Sequence, residues 1–309
     1  MSKRLVDYLV YLAVRVVVCL LQAISLDTGQ RLARHLAWLL GDLLRLRGTV
    51  VDENLRHAFP DRSPQELRTL TQRMWEHLIL LVLEVAHAPR KIHHTNWRDH
   101  VRLAGVQPLV EMLLGPRPTV IVTGHCGNFE VGGFMLGILG FPTYTVARTL
   151  DNPYLDQFVN RFRGASGQFI ISKNGGYDQI LAVLARGGVM SFLADQYAGP
   201  KGCWVEFFGR PASAHKAIAL LSLEHDAPVA VCCNRRLERP LQFEMMTLGI
   251  ADPRQTGNKL GTVRELTQWY TGQLERVIRR IPDQYWWLHR RWKDTRAKRP
   301  GKAKPKQAA

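Results

Sequence analysis

A histidine and a glutamate five residues apart sit in the run Gly124-His125-Cys126-Gly127-Asn128-Phe129-Glu130, directly after the apolar stretch 118–123. An imidazole whose tautomer is fixed by a carboxylate is what a general base needs to take a proton from a hydroxyl. Spacing alone does not provide it, because residues five apart on one continuous helix point about 140° away from each other. Only a bend between a strand and a helix folds the carboxylate back onto the ring. The sequence contains such a bend. Val120, Ile121 and Val122 read as a buried strand; Gly127 and Asn128 break it, and Asn128 is an N-cap candidate for the apolar segment that follows. His125 is therefore expected at a strand end and Glu130 in the first turn of the next helix. A bare match at this spacing is more often a satisfied polar pair, and it is the glycines and the strand-end position that favour chemistry here.

Further polar residues fall at the ends of later apolar runs. Arg148 follows the run 142–147, where a guanidinium can clamp a phosphate in bidentate fashion or pair with Asp151. Asp195, followed by Gln196, ends the run 189–194 and can orient a substrate group or a rim arginine, or cap a turn. Lys216, beside His215 at a helix start, can offer positive charge to a carrier phosphate or simply lie at the surface. Arg161 and Arg163 read as solvated or structural. Cys126 adjoins His125, but consecutive residues at a strand end point apart, so it is not expected to be a nucleophile. The run Gln284-Tyr285-Trp286-Trp287-Leu288-His289-Arg290-Arg291-Trp292-Lys293 interleaves aromatics and cations, which suits nucleic acid by stacking or a membrane interface by anchoring.

These positions require a scaffold, and the hydropathy pattern supplies one. Strand candidates are 118–123, 142–147, 168–172, 188–194, 204–208, 228–235 and 241–247; helix candidates between them are 128–139, 151–164, 175–186, 212–226 and 261–280. The alternation predicts an α/β fold, a mixed and mostly parallel sheet flanked by helices, whose sites collect at strand C-terminal ends. Residues 48–115 read as helical, with a helix start at Ser63-Pro64-Gln65-Glu66. The segment 5–24 is almost wholly apolar and long enough to cross a bilayer, although Arg15 in its middle would cost about 2.5–3.5 kcal/mol there. A second segment, 31–47, has leucines along one side and arginines around it, as an interfacial helix or a core helix would. The expected organisation is a membrane anchor with an amphipathic helix at 1–47, a catalytic domain at 48–295 and a basic, disordered tail at 296–309. The 309 residues carry a formal charge of +16, which calls for an anionic partner: a membrane surface, a phosphorylated substrate or carrier, or nucleic acid. Five scattered cysteines indicate neither a disulfide framework nor a zinc site, so no metal and no cofactor is expected.

Taken together, these residues resemble the bacterial lipid A biosynthesis acyltransferases of the lauroyl/myristoyl type, within the wider lysophospholipid acyltransferase superfamily. The resemblance covers most of the chain. It rests on the apolar N-terminus, the run 124–130, Arg148 with Asp151-Asn152-Pro153-Tyr154, Asp195-Gln196 with Gly199, the run 207–212 and the run 285–291. It implies a catalytic pair at His125 and Glu130, with Arg148 and Asp195 positioning substrate; Asn128 and Lys216 join them as candidate substrate contacts. It also implies an enzyme on the cytoplasmic face of the inner membrane, moving a fatty acyl chain from acyl-carrier protein or acyl-CoA to a hydroxyl of a lipid acceptor. Ser213-Ala214-His215-Lys216 departs from the family pattern and leaves the acceptor open between lipid A and other glycolipids. No nucleic-acid partner is expected. The competing reading, a non-enzymatic basic protein that binds anionic lipid or nucleic acid, explains the charge but not the gathering of polar residues at strand ends.

Overall fold

The computed structural model describes residues 2–255 and 260–293, so the tail expected at 296–309 lies outside the described residues. Helices come first: α1 (Lys3–Ala23), α2 (Leu26–Trp38) running into a π-turn at Leu39–Leu43, α3 (Gly48–Ala58) and α4 (Pro64–Lys91). Ser63 caps α4 through Glu66 in a reciprocal capping box, as its sequence start predicts. The chain then alternates through β1 (Val101–Ala104), α5 (Gln107–Leu114), β2 (Thr119–Thr123), α6 (Phe129–Ile138), β3 (Thr143–Ala147), α7 (Pro153–Ala165), β4 (Gln168–Ser172), α8 (Tyr177–Ala185) and β5 (Val189–Leu193). A hairpin of β6 (Cys203–Phe207) and β7 (Arg210–Ala214) precedes α9 (Lys216–Glu224), β8 (Val229–Arg236), β9 (Phe243–Ala251) and α10 (Val263–Arg280).

Seven strands form one sheet in the order β1-β9-β8-β2-β5-β3-β4, parallel throughout except for the antiparallel β8–β9 pair. The expected mixed, mostly parallel sheet flanked by helices is therefore what forms. Two strands differ from expectation. β1 is a four-residue edge strand too short to show a pattern. β7 occupies residues assigned to a helix from 212, because Arg210–Ala214 pairs antiparallel with β6 and α9 starts only at Lys216. The principal core lies between the sheet, α3, α4, α9, α10 and the C-terminal segment, with Val122, Val231, Leu55, Tyr270 and Trp287 all buried in it.

α1 has no buried residue, yet it is not a free rod. Its polar atoms reach the domain at both ends: Asn152 donates to the Asp7 carbonyl at 2.8 Å, and Gln22 donates to the Ala86 carbonyl at 2.8 Å. Arg15 donates to the Tyr11 hydroxyl at 2.8 Å and lies over the Phe158 ring, so the charge that would burden a membrane segment faces the protein. Leu5, Leu9, Leu12, Val16 and Leu20 remain exposed.

Candidate active site

β2 and β5 are neighbours in parallel register, with Thr123 opposite Leu193. Two residues beyond each lie His125 and Asp195, so equal overrun of two adjacent strands sets these side chains beside each other. Asp195 Oδ1 is 2.8 Å from His125 Nδ1, and Asp195 Oδ2 accepts the His125 backbone N–H at 2.8 Å. The carboxylate is wholly buried while the imidazole side chain retains 15% exposure. Burial opposes protonation of the ring, but the Asp195 charge and hydrogen bond, with Glu130 further off, outweigh it and hold the His125 pKa above its ordinary value. Asp195 is buried too, yet the same pairing holds its pKa well below the usual carboxylate range.

The bend after β2 is built from two glycines. A Cβ on Gly124 would stand 3.2 Å from the Asp195 carboxyl carbon. Gly127 has φ +64°, and a Cβ there would meet the Asn234 carbonyl oxygen. This conformation lets the Gly127 amide donate to the Gln284 carbonyl and the Asn128 amide to the Asn234 carbonyl, both at 2.8 Å. The Gly127 and Asn128 amides are thus already engaged.

Several expected site residues take other roles. Glu130 does stand in the first turn of α6, but it does not hold the ring: its oxygens accept from Arg163 Nη2 at 2.5 Å and Nε at 3.1 Å. The carboxylate that contacts the ring is Asp195, from the end of the adjacent strand β5. Asn128, expected as a substrate contact, is fully buried. Its side-chain oxygen caps α6 at Val131 N and its amide donates to Glu84 Oε2 at 2.8 Å. Arg148 pairs with Asp151 at 2.7 Å with 76% of its side chain exposed, at the rim of the cavity that contains His125. Lys216 is exposed and lies outside the lining of that cavity, whereas its neighbour His215 belongs to it.

Gln196, His289, Trp286 and Phe129, which lie in the motif runs but carried no individual predicted role, complete the centre. Gln196 Nε2 lies 3.2 Å from His125 Nε2 and 3.0 Å from His289 Nε2, so one amide donates to both rings. His289 stacks on Trp286 and is held down to about 4 by burial and by the neighbouring His125 charge. Phe129 meets His125 edge to face, and Trp286 closes another side. Beneath the bend lies a buried ion pair: Arg236 donates to both Glu84 oxygens at 2.6 and 2.7 Å and contacts His77 Nδ1 at 2.7 Å. Buried polar side chains of this kind leave no period in a sequence. Cys126 is buried, and a hydrogen bond with Cys233 together with burial pushes its thiol far up, which removes it as a nucleophile. Among the described residues no group of three or more His, Cys, Asp or Glu is gathered for a metal.

His125 opens onto a cavity of about 670 Å³, whose wall includes Leu109, Ile121, Leu136, Met245 and Ile218 beside the polar Lys173 and His215. An apolar chamber with a histidine–aspartate pair at its mouth and cations at its rim suits a ligand with a long hydrocarbon part and an anionic part. The profile describing bacterial lipid A biosynthesis acyltransferases matches residues 1–294. The chain belongs to that family. It is an acyltransferase, which displaces the reading of a non-enzymatic basic binder. Lipid A biosynthesis lauroyltransferase of Escherichia coli strain K12 is 24% identical to it over 256 residues, 81% of this chain and 80% of that protein. Lipid A biosynthesis palmitoleoyltransferase of the same strain is also 24% identical, over 257 residues covering 81% and 80%. The 1-acyl-sn-glycerophosphate acyltransferase PlsC of Thermotoga maritima aligns in structure at 12% identity and a TM-score of 0.39, over 82% of this acyltransferase and 97% of that chain. The fold described above rests on the strand order itself, not on that likeness.

Proposed function

We propose that this acyltransferase moves a fatty acyl chain from a thioester donor, acyl-carrier protein or acyl-CoA, to a hydroxyl of a lipid A-type or other glycolipid acceptor, with His125 as general base. The observation that carries the reading is the Asp195–His125 pair. Nδ1–H is committed to a buried carboxylate, so Nε2 presents its lone pair toward the cavity. The acceptor hydroxyl displaces the Gln196 amide from Nε2, gives its proton to that nitrogen, and its oxygen attacks the thioester carbonyl. Asp195 stabilises the imidazolium. The tetrahedral intermediate collapses with the C–S bond breaking, and the imidazolium returns its proton to the thiolate. With the Gly127 and Asn128 amides engaged, the freed Gln196 amide, released beside Nε2, serves as a donor to the oxyanion. The inertness of Cys126 supports direct transfer with no acyl-enzyme.

The reaction takes place at a membrane face, the cytoplasmic face of the inner membrane if the donor is a soluble carrier. α1 is the one described helix long and apolar enough to cross a bilayer. It touches the domain at Asp7 and again at Gln22, about 22 Å apart along its axis. A helix bound to its own domain over that length lies in the interface with its outer face in lipid, and does not leave the domain to span. Net charge draws the protein to anionic lipid.

The test is His125→Ala in membranes given radiolabelled acyl donor. Transfer should fall by about 10²–10⁴-fold, and mass spectrometry of membrane lipids from a deletion strain should show one acyl chain missing from a glycolipid. Retention of more than a tenth of wild-type transfer rejects the mechanism.

A further inference from the structure

A second and larger cavity, about 1460 Å³, lies between α1, α4, α6 and α7. Val18, Leu81, Val85, Phe134, Phe158 and Phe162 supply much of its apolar wall. Arg15, Arg161, His93 and His94 stand on its polar side. Its carboxylates are spoken for: Glu130 pairs with Arg163, and Asp156 accepts from Leu150 N and Asn160. The free charge facing this space is therefore positive. This volume exceeds the roughly 300–1,000 Å³ of sites that hold a single small ligand.

The two cavities share a wall. Glu130, Ala147, Arg148, Arg163 and Ile170 line both, so the Glu130–Arg163 pair stands in the partition between the large cavity and the chamber that contains His125. α1 has two faces with different neighbours. One carries exposed Leu9, Val16 and Leu20; the other, through Tyr11, Val18 and Cys19, is a wall of the cavity. A lipid leaving the bilayer beside α1 would meet apolar wall for its chains and cations for its phosphates before reaching His125.

We propose that this cavity binds the hydrocarbon chains of an anionic, multiply acylated acceptor lipid, with α1 as one of its walls, and that the acceptor's headgroup reaches His125 past the Glu130–Arg163 partition. The inference rests on the acyl-transfer reading and names the acceptor site that goes with it. α1 is then part of the substrate site as well as an attachment to the membrane, and the smaller chamber is left to the chain being transferred.

The experiment uses full-length protein in phospholipid vesicles doped with a tetra-acylated, bisphosphorylated glucosamine disaccharide that carries a diazirine at the end of one acyl chain. Irradiation should place adducts on the cavity side of α1 and on α4 and α7, in wild type and in His125→Ala alike. Val18→Trp, which fills the cavity from α1, should reduce those adducts and raise the acceptor KM about tenfold while leaving the donor KM unchanged. Adducts confined to the chamber around Leu109 and Leu136, or to the outer face of α1, would overturn the proposal, as would a Val18→Trp enzyme with unaltered acceptor KM. The two readings fail separately. Cavity adducts without any acyl transfer by wild type would sink the enzymatic assignment alone, and intact transfer with adducts elsewhere would sink the acceptor site alone.

Discussion

Asp195 grips His125 twice, one oxygen 2.8 Å from Nδ1 and the other accepting the backbone amide at 2.8 Å. The double contact fixes both the ring's tautomer and the position of the bend that carries it. The carboxylate that the spacing in the motif points to, Glu130, instead pairs with Arg163 within the cavity partition. The two carboxylates thus have separable effects on one imidazole.

Asp195→Asn keeps the shape but removes the charge that raises the His125 pKa. Transfer should fall about 10²–10⁴-fold. Activity requires neutral imidazole, so the acid limb of kcat/KM against pH lies above the ordinary histidine value in wild type and should move to lower pH in this variant. Glu130→Gln should move the limb in the same direction by less, since Arg163 already neutralises that carboxylate. A larger shift in Glu130→Gln than in Asp195→Asn would reverse the assignment.

Gln196 should act in the opposite sense. Its amide donates to the lone pair that a proton would occupy, which favours the neutral ring. Gln196→Ala should therefore move the acid limb to higher pH and lower the acceptor KM, because no amide has to be displaced. Titration of the His125 ring by NMR in the labelled protein checks the direction independently of turnover.

The Glu84–Arg236 pair is almost completely buried and holds Asn128 at the start of α6. Removing one partner leaves a buried uncompensated charge, so Glu84→Gln or Arg236→Met should cost about 3–5 kcal/mol in urea unfolding. The double variant Glu84→Leu with Arg236→Met should cost less than the sum of the singles.

Stability should decline in acid. Folded His289 takes up a proton only near 4, its site being buried and next to His125, whereas an unfolded imidazole takes one up near 6.5. Between those values the unfolded chain binds more protons, and stability falls as pH drops. Asp195, with its lowered pKa, adds to the loss below about 3.8. His125 has a raised pKa, so its contribution is full below about 6.5 and lost as pH climbs through the folded value. Thermal midpoints between pH 6.5 and 4 should drop in wild type and drop less in His289→Phe.

Much of this protein follows from local order along the chain. The β-branched run of β2, the glycine bend, the Asn128 cap and the alternation of strands and helices are short-range properties, since each depends on the allowed φ/ψ of a few residues or on a period of 2 or 3.6. They place His125 at a strand end and Glu130 in a first helical turn, and they make α1 apolar. They do not say which strands become neighbours. β5 inserts between β2 and β3, and that insertion brings Asp195, 70 residues away, to the imidazole and leaves Glu130 to Arg163. The same holds for Glu84 with Arg236, for Gln196 between two histidines, and for Arg15 turned inward against Phe158. Partner choice among charged groups is decided by distance in the folded state, and distance there is set by the sheet order and helix packing, which no spacing along the chain encodes.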